Sequence, residues 1–445
     1  MPIDKILIAT QGLVAFGLIP SDATEWNGDT IGGIGSAMAL SSFSAGPSGT
    51  YTGQLVVQPD RGYNVGGTID YQGRQLFIDF TLTPYSGTTP LSFAAAQQTL
   101  QLSYSDTLSY FDRGSAATTG LDSVGVRAAQ SGYPTSQLAD PPMPIPSSSF
   151  NHLSLDLEGL ALAPDGTFWV SDEYGPYIYH FDEFGDLIQT IQPPQAIVPL
   201  NSAGQLSFTA ASDPVTGRSG NQGFEGLTLS SDGNTLYALL QSAAIQDGGN
   251  KKSTARYTRL VAYDISRAST TRPTLVGEWV VPLPLDSAGK TLGASELRYV
   301  KNGVFLVLAR DGNGHGGDVT LSAYKRADLI STVGATDIHG TSFDSPSHPI
   351  ASGGVLSSSI VPTTYVSFVN FLDSTQLARF GLHNGDPSDQ TLIDAKWESL
   401  ALAPSDNDFM STNGVFDGEP FNAGLDNDNQ FLVFRVTLPG AQVAI

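Results

Sequence analysis

The feature that most constrains this chain is an internal repeat. Asp156–Gly175 reads DLEGLALAPDGTFWVSDEYG, Gly223–Ser242 reads GFEGLTLSSDGNTLYALLQS, Ser295–Asp311 reads SELRYVKNGVFLVLARD, and Trp397–Asn413 reads WESLALAPSDNDFMSTN. A fainter copy, Gly33–Arg61, begins GIGSAMALSS and closes LVVQPDR. Each copy is a strand, a tight turn at Asp-Gly or its equivalent, and a second strand. Further strands follow the hairpin, as in YIYHFDEFGDLIQTI after the Glu158 unit, so a unit holds three or four strands. Such units cannot bury a core alone, and arranged radially they make propeller blades. A jelly roll or a pair of sandwiches would not place the same hairpin at the head of every unit.

The expected fold is therefore all-β: one β-propeller domain over residues 1–445, of about five to six blades with long inter-strand insertions. Five copies are visible, and the long gaps leave room for a sixth. Only Asp373–Gly381 and part of Leu91–Leu100 suggest short helices, while Gly114–Phe150 and Thr341–Val361 read as loops rich in Ser, Pro and Gly. Residues 1–30 are read as an N-terminal strand segment contributing to ring closure. Within them, residues 6–19 (ILIATQGLVAFGLI) followed by Ser21-Asp22-Ala23 also resemble a secretory leader, but Asp4, Thr10 and Gln11 favour a buried strand. No apolar run is long enough to span a bilayer as a helix.

Four units carry a glutamate near the same point: Glu158, Glu225, Glu296 and Glu398. Equivalent innermost positions of a propeller face one shared tunnel. Bare carboxylates there would raise one another's pKa, and a hard cation relieves the conflict. Oxygen-only ligands favour calcium or magnesium over zinc, and calcium tolerates irregular geometry, so calcium held by these four glutamates is the expected cofactor. The rival reading pairs each glutamate locally with Arg or Lys or uses it to cap its hairpin.

The far end of each hairpin is polar too, and its second strand returns to the same end of the blade. Asp172 and Glu173, Arg310 and Asp311, Asn413, and Arg61 close their respective units. Arginines beside carboxylates suit an anionic ester, which a guanidinium grips in bidentate fashion. Asp172 or Asp311 is the candidate base, Arg310 the candidate stabiliser of negative charge, and His315 a candidate acid, base or ligand. Arg61, Glu173 and Asn413 are candidate substrate contacts, and His152 is a further histidine near the Glu158 unit. Asp, Asn and His at strand ends and in loops also serve as ordinary turn and surface residues.

Several classes are excluded. The chain has no cysteine, which removes disulfide scaffolds, Cys-ligated zinc and thiol catalysis. Its formal net charge of −22, from 21 Lys+Arg and 43 Asp+Glu, opposes a nucleic-acid partner. There is no G-x-S-x-G, no H-E-x-x-H and no P-loop. Gly312-x-Gly314-x-x-Gly317 matches a dinucleotide fingerprint only formally, because a strand-like run follows it where a helix is required.

At D-L-E-G-L-A-L-A-P-D-G-T-F-W-V-S-D-E-Y-G (156–175), I-Y-H-F-D-E-F-G-D (178–186), F-E-G-L-T-L-S-S-D-G (224–233), I-G-G-I-G-S (31–36) and W-E-S-L-A-L (397–402), the chain resembles the phytase-like, "esterase-like activity of phytase" family of secreted β-propellers. The resemblance spans roughly 30–437. The Glu398 unit departs with E-S-L for E-G-L, and the Glu296 unit departs further with E-L-R. The resemblance implies a calcium-associated propeller, exported from the cell or held in the periplasm, that hydrolyses esters or phosphoesters of a small molecule. The R-H-G of histidine-acid phytases is absent. A calcium lactonase and a non-catalytic, calcium-stabilised binding propeller are the alternatives.

Overall fold

Each hairpin of the repeat begins a four-stranded antiparallel sheet in the computed structural model, which describes residues 9–31, 33–61, 68–130, 139–403, 409–415 (backbone only) and 428–438. Blade one comprises Ala37–Ala45, Tyr51–Gln58, Arg74–Leu82 and Leu100–Ser109. Blade two comprises Leu157–Leu162, Phe168–Asp172, Ile178–Phe181 and Leu187–Ile191. Blade three comprises Phe224–Leu229, Thr235–Leu240, Tyr257–Asp264 and Thr274–Pro282. Blade four comprises Gly293–Lys301, Val304–Arg310, Lys325–Ser331 and Thr364–Asn370. Blade five comprises Lys396–Ala403, Phe409–Val415, Asn429–Thr437 and, as its outer strand, Ala9–Ile19.

The first strand of each of blades one to four, and Lys396–Ala403 of blade five, pack against one another in a closed ring, one-two-three-four-five-one. These are the inner strands around the axis. An apolar core lies between every neighbouring pair of blades: Tyr110, Leu160 and Phe168 between one and two, Trp169, Phe224 and Leu236 between two and three, and Leu239, Leu297 and Phe305 between three and four. Leu306, Trp397 and Phe434 fill the space between four and five, and Met38, Ile78 and Phe431 that between five and one. Burial between blades, not within them, explains why one hairpin unit could not stand alone.

Ring closure comes from the chain's beginning. Ala9–Ile19 pairs antiparallel with Asn429–Thr437, and Leu13 and Phe16 are fully buried. Residues 9–19 are therefore a strand, as their interrupted polarity suggested. Among the described residues there are five blades. The long gaps hold loops and two-stranded elements, such as Gly125–Arg127 with Met143–Ile145 and Ala351–Ser352 with Val355–Leu356. The two helical hints become single turns, Phe93–Ala96 and Ser374–Ala378, the second capped by the Asp373 carboxylate accepting from the backbone N–H of Thr375 and Gln376. No helix among the described residues is long and apolar enough to cross a membrane.

Candidate functional site

The inner strands place their acidic residues by an irregularity. Pairing with the second strand skips across Glu158-Gly159 in blade two, Glu225 in blade three, Ser295 in blade four and Glu398 in blade five. A β-bulge of this kind re-aims a side chain that regular pleating would send into the sheet. The glycine of E-G-L is also explained: a Cβ at Gly159 would lie 2.5 Å from Cβ of Leu227, and one at Gly226 would lie 2.5 Å from the backbone N of Leu297. Neighbouring inner strands approach too closely there for a side chain directed at them.

Anchoring the blades on Leu160, Leu227, Leu297 and Leu400 shows that Glu296 is one residue out of register. The residue that matches Glu158, Glu225 and Glu398 in blade four is Ser295, and in blade one it is Ser36. The expected ring of four glutamates is thus three, because blade four inserts its acid one step nearer the turn. The Glu296 carboxylate accepts from the backbone N–H of Leu297 at 2.8 Å and pairs with Arg298 at 2.8 Å. Burial pushes it up to about 7, with Arg298 opposing the rise.

The strand starts nevertheless gather acids at one end of the axis. One oxygen each from Asp156, Glu158 and Glu173 lie within 4.8 Å of one another, all three side chains buried. Two ligands of one calcium ion stand at most about twice the 2.3–2.6 Å bond length apart, so this spacing fits a shared cation. The carboxylates of Glu158 (6% exposed) and Glu225 (4% exposed) make no hydrogen bond or ion pair with any described residue, although the Glu158 backbone carbonyl accepts from Gln58 Nε2 at 2.8 Å. Burial, then the charges of Glu225 and Glu173, push Glu158 well above the carboxylate range. Burial, then Glu173 and Glu398, do the same to Glu225. Glu173 rises to about 8 through burial and the nearby Asp156, while its Oε1 accepts the Gly223 N–H at 3.0 Å.

Cations flank this cluster. Arg61 Nη1 lies 3.1 Å from Asp156 Oδ2, and its guanidinium sits over the Tyr174 ring. Arg310 is ion-paired with Glu398 and donates to the Trp397 carbonyl at 3.2 Å. Burial works to raise Glu398, but Arg310 and Lys396 outweigh it and hold the carboxyl below its usual range. Lys396, which sequence reasoning passed over, opens the inner strand of blade five and acts electrostatically on Asp156, Glu225 and Glu398. Asp156 was passed over as well, though it stands two residues before Glu158 in the motif that was read.

The remaining candidates stand elsewhere. Asp172 is fully buried, and its two oxygens accept the backbone N–H of Asp156 (2.7 Å) and Gly175 (3.1 Å), so it fixes the strand end that presents Asp156. Asp311 accepts from Ser322 Oγ (2.6 Å) and from the N–H groups of Ala323 (2.6 Å) and Tyr324 (3.1 Å). Burial raises it, but Lys325 and these donors hold it below the usual range, and it organises its own loop. His315 is buried in the same loop, bridged through its backbone to Ile393 and Ala395. His152 Nδ1 lies 2.6 Å from the Ala117 carbonyl oxygen. Asn413 lies in the second strand of blade five opposite Ser399, and its side chain is outside the described residues. The Gly312–Gly317 stretch is a loop with no helix after it.

Below the acids the axis is closed by Arg298. Nε donates to the Leu400 carbonyl at 2.6 Å, Nη1 to those of Leu160 and Leu227 at 3.1 Å each, and Nη2 to Met38 and, at 2.8 Å, to Glu296. A guanidinium has five N–H bonds, and here each meets one acceptor from a different blade. The E-L-R departure in blade four is this clasp.

A family model described as phytase-like, esterase-like activity of phytase, matches residues 37–413. An uncharacterized secreted protein of Arthroderma benhamiae is 40% identical over 431 residues, covering 89% of this chain and 82% of its own. Among solved structures, the catalytic domain of Coprinopsis cinerea GH62 alpha-L-arabinofuranosidase aligns over 97% of this chain and 99% of its own at 9% identity and a TM-score of 0.34. The alpha-L-arabinofuranosidase PaAbf62A of Podospora anserina aligns over 96% and 98% at 9% identity and a TM-score of 0.35.

Proposed function

The chain belongs to the phytase-like, esterase-like activity of phytase family, and from that premise we propose that it is a secreted, calcium-dependent hydrolase of small esters, phosphoesters foremost, acting at the acidic end of its axis. The observation that carries the reading is the buried trio of Asp156, Glu158 and Glu173, whose oxygens lie within 4.8 Å. Three carboxylates held this close, one of them without any partner among the described residues, are costly to ionise together unless a cation joins them. Hard oxygen donors suit calcium, and these three residues would hold it. When bound, the ion supplies Lewis-acid polarisation of an ester oxygen and acidifies water.

The chain's own groups supply the rest. Arg61, Arg310 and Lys396 border the carboxylates and bind the oxygens of an anionic ester, offsetting a charge that would otherwise repel it. Burial and the charges of Glu173 and Glu398 push the Glu225 carboxyl well above its usual range, which favours the protonated form that can serve as general acid toward a leaving oxygen. Asp172 keeps Asp156 in place through the backbone N–H it accepts. Export is proposed on the secreted relative.

The test is a panel of phosphate monoesters, phosphate diesters, carboxyl esters and lactones, assayed with calcium, with EGTA, and with Glu158→Gln. Calcium-dependent turnover of an ester, lost in Glu158→Gln, is expected. Turnover unaffected by EGTA overturns the reading. Lactone hydrolysis alone moves it to a lactonase, and calcium that raises Tm with no turnover moves it to a stabilised binding propeller.

A further inference from the structure

The other end of the axis carries a separate feature. Beyond Arg298, where the inner strands end, lies a cavity of about 470 Å³. Its walls combine apolar side chains, Leu160, Phe168 and Leu402 among them, with polar ones, Thr167, Thr228 and Arg298 among them. That size is typical of a small-molecule site. The acids of the candidate active site stand at the starts of the inner strands and this cavity at their ends, with the Arg298 clasp between.

Three properties select an occupant. All five N–H bonds of Arg298 are spent on acceptors around its rim. Those bonds lie in the guanidinium plane, so what remains is a flat face, a surface on which aromatic rings stack. Gln75, only 4% exposed, also lines the cavity; its Oε1 accepts weakly from the Tyr110 hydroxyl at 3.4 Å, and its Nε2 donates to no described residue. Charge is the third property: Glu296 neutralises Arg298, Glu183 stands at the lining, and the chain's net charge is −22, so an anion is disfavoured.

We infer that this cavity binds a flat, uncharged aromatic molecule, stacked on the guanidinium face of Arg298 and accepting a hydrogen bond from Gln75. The site is independent of the hydrolase reading and of any metal. The probe is Prodan, a neutral planar naphthyl ketone that no hydrolase can cleave and whose emission reports both polarity and hydrogen bonding at its carbonyl.

Titration of the full chain should give one saturable site with blue-shifted emission. Ala163→Trp, which projects a ring from the half-buried turn residue lining the cavity, should weaken binding at least tenfold. Gln75→Leu should weaken it several-fold and shift the bound emission further to the blue, because the donor to the carbonyl is gone. Glu158→Gln should leave binding unchanged. Absence of saturable binding to the wild type, or binding that both Ala163→Trp and Gln75→Leu leave intact, overturns the inference; loss in Glu158→Gln does so too, by placing the probe at the other mouth.

Discussion

Two kinds of glutamate line the axis of one molecule, one residue apart in register. Glu158 and Glu225 sit at the bulge of their inner strands, buried, with no hydrogen-bond or ion-pair partner for their carboxylates among the described residues. Glu296 sits one step along, bound to Arg298 and to backbone N–H, in a blade where serine occupies the bulge. The same side chain, buried in each case, is thus left without a carboxylate partner among the described residues in two blades and is bound into the fold in another. A buried carboxylate with its partners built in stabilises the fold; one without them calls for a ligand or a proton. Glu398 lies between these extremes, at the bulge but already paired with Arg310.

The comparison breaks most visibly at the clasp. Arg298→Met leaves the buried Glu296 charge and four blade carbonyls without their donor, a loss of about 3–5 kcal/mol, read as a lowered urea midpoint. A midpoint matching the wild type would mean the axis does not depend on this residue. Glu158→Gln should act on the other side: calcium affinity, measured by calorimetry, should fall about a hundredfold, since even outer-shell partners of a metal cost ~10–100-fold. Its stability in EGTA should not fall, because a buried uncompensated charge has been removed.

Glu296→Gln sharpens the contrast. It should cost about 1–3 kcal/mol of stability through a weakened hydrogen-bond set while calcium affinity stays within a few-fold of wild type. If Glu296→Gln instead abolished calcium binding as Glu158→Gln does, the two glutamates would belong to one site after all.

The smallest effect is a pH dependence. Burial and Asp156 raise Glu173 to about 8 in the folded protein. A carboxylate raised in this way stabilises the metal-free fold fully below its unfolded pKa, near 4.5, and that contribution is lost as pH rises toward 8. In EGTA, the Tm difference between wild type and Glu173→Gln should therefore move against the wild type from pH 5 to pH 8. The Tm increment given by calcium should grow over the same range. A difference flat with pH would mean that Glu173 is not strained by its neighbours.

How far the sequence could be read depended on which residues repeat. The hairpin recurs because every blade needs the same inner two strands, so Leu160, Leu227, Leu297 and Leu400 mark the blades plainly, and the closing strand Ala9–Ile19 was legible from its apolar run. The acids misled where the repeat was aligned on glutamate instead of on that leucine. Aligned on leucine, S-E-L in blade four reads one step out of phase with E-G-L and E-S-L. Arg298 and Asp156 escaped because each occurs in only one copy of the repeat, and a signal confined to one copy is invisible to a search for repetition. Asp172 and Asp311 sat at the right strand ends, but their oxygens are occupied by backbone N–H groups that no sequence pattern displays.

The claim underneath all of this is that Asp156, Glu158 and Glu173 share one cation. Crystals grown with calcium exchanged for terbium, and an anomalous difference map from them, would test it directly. The account predicts a single axial peak about 2.3–2.6 Å from carboxylate oxygens of those three residues. No axial peak at saturating lanthanide, or a peak coordinated by Glu296, would contradict it.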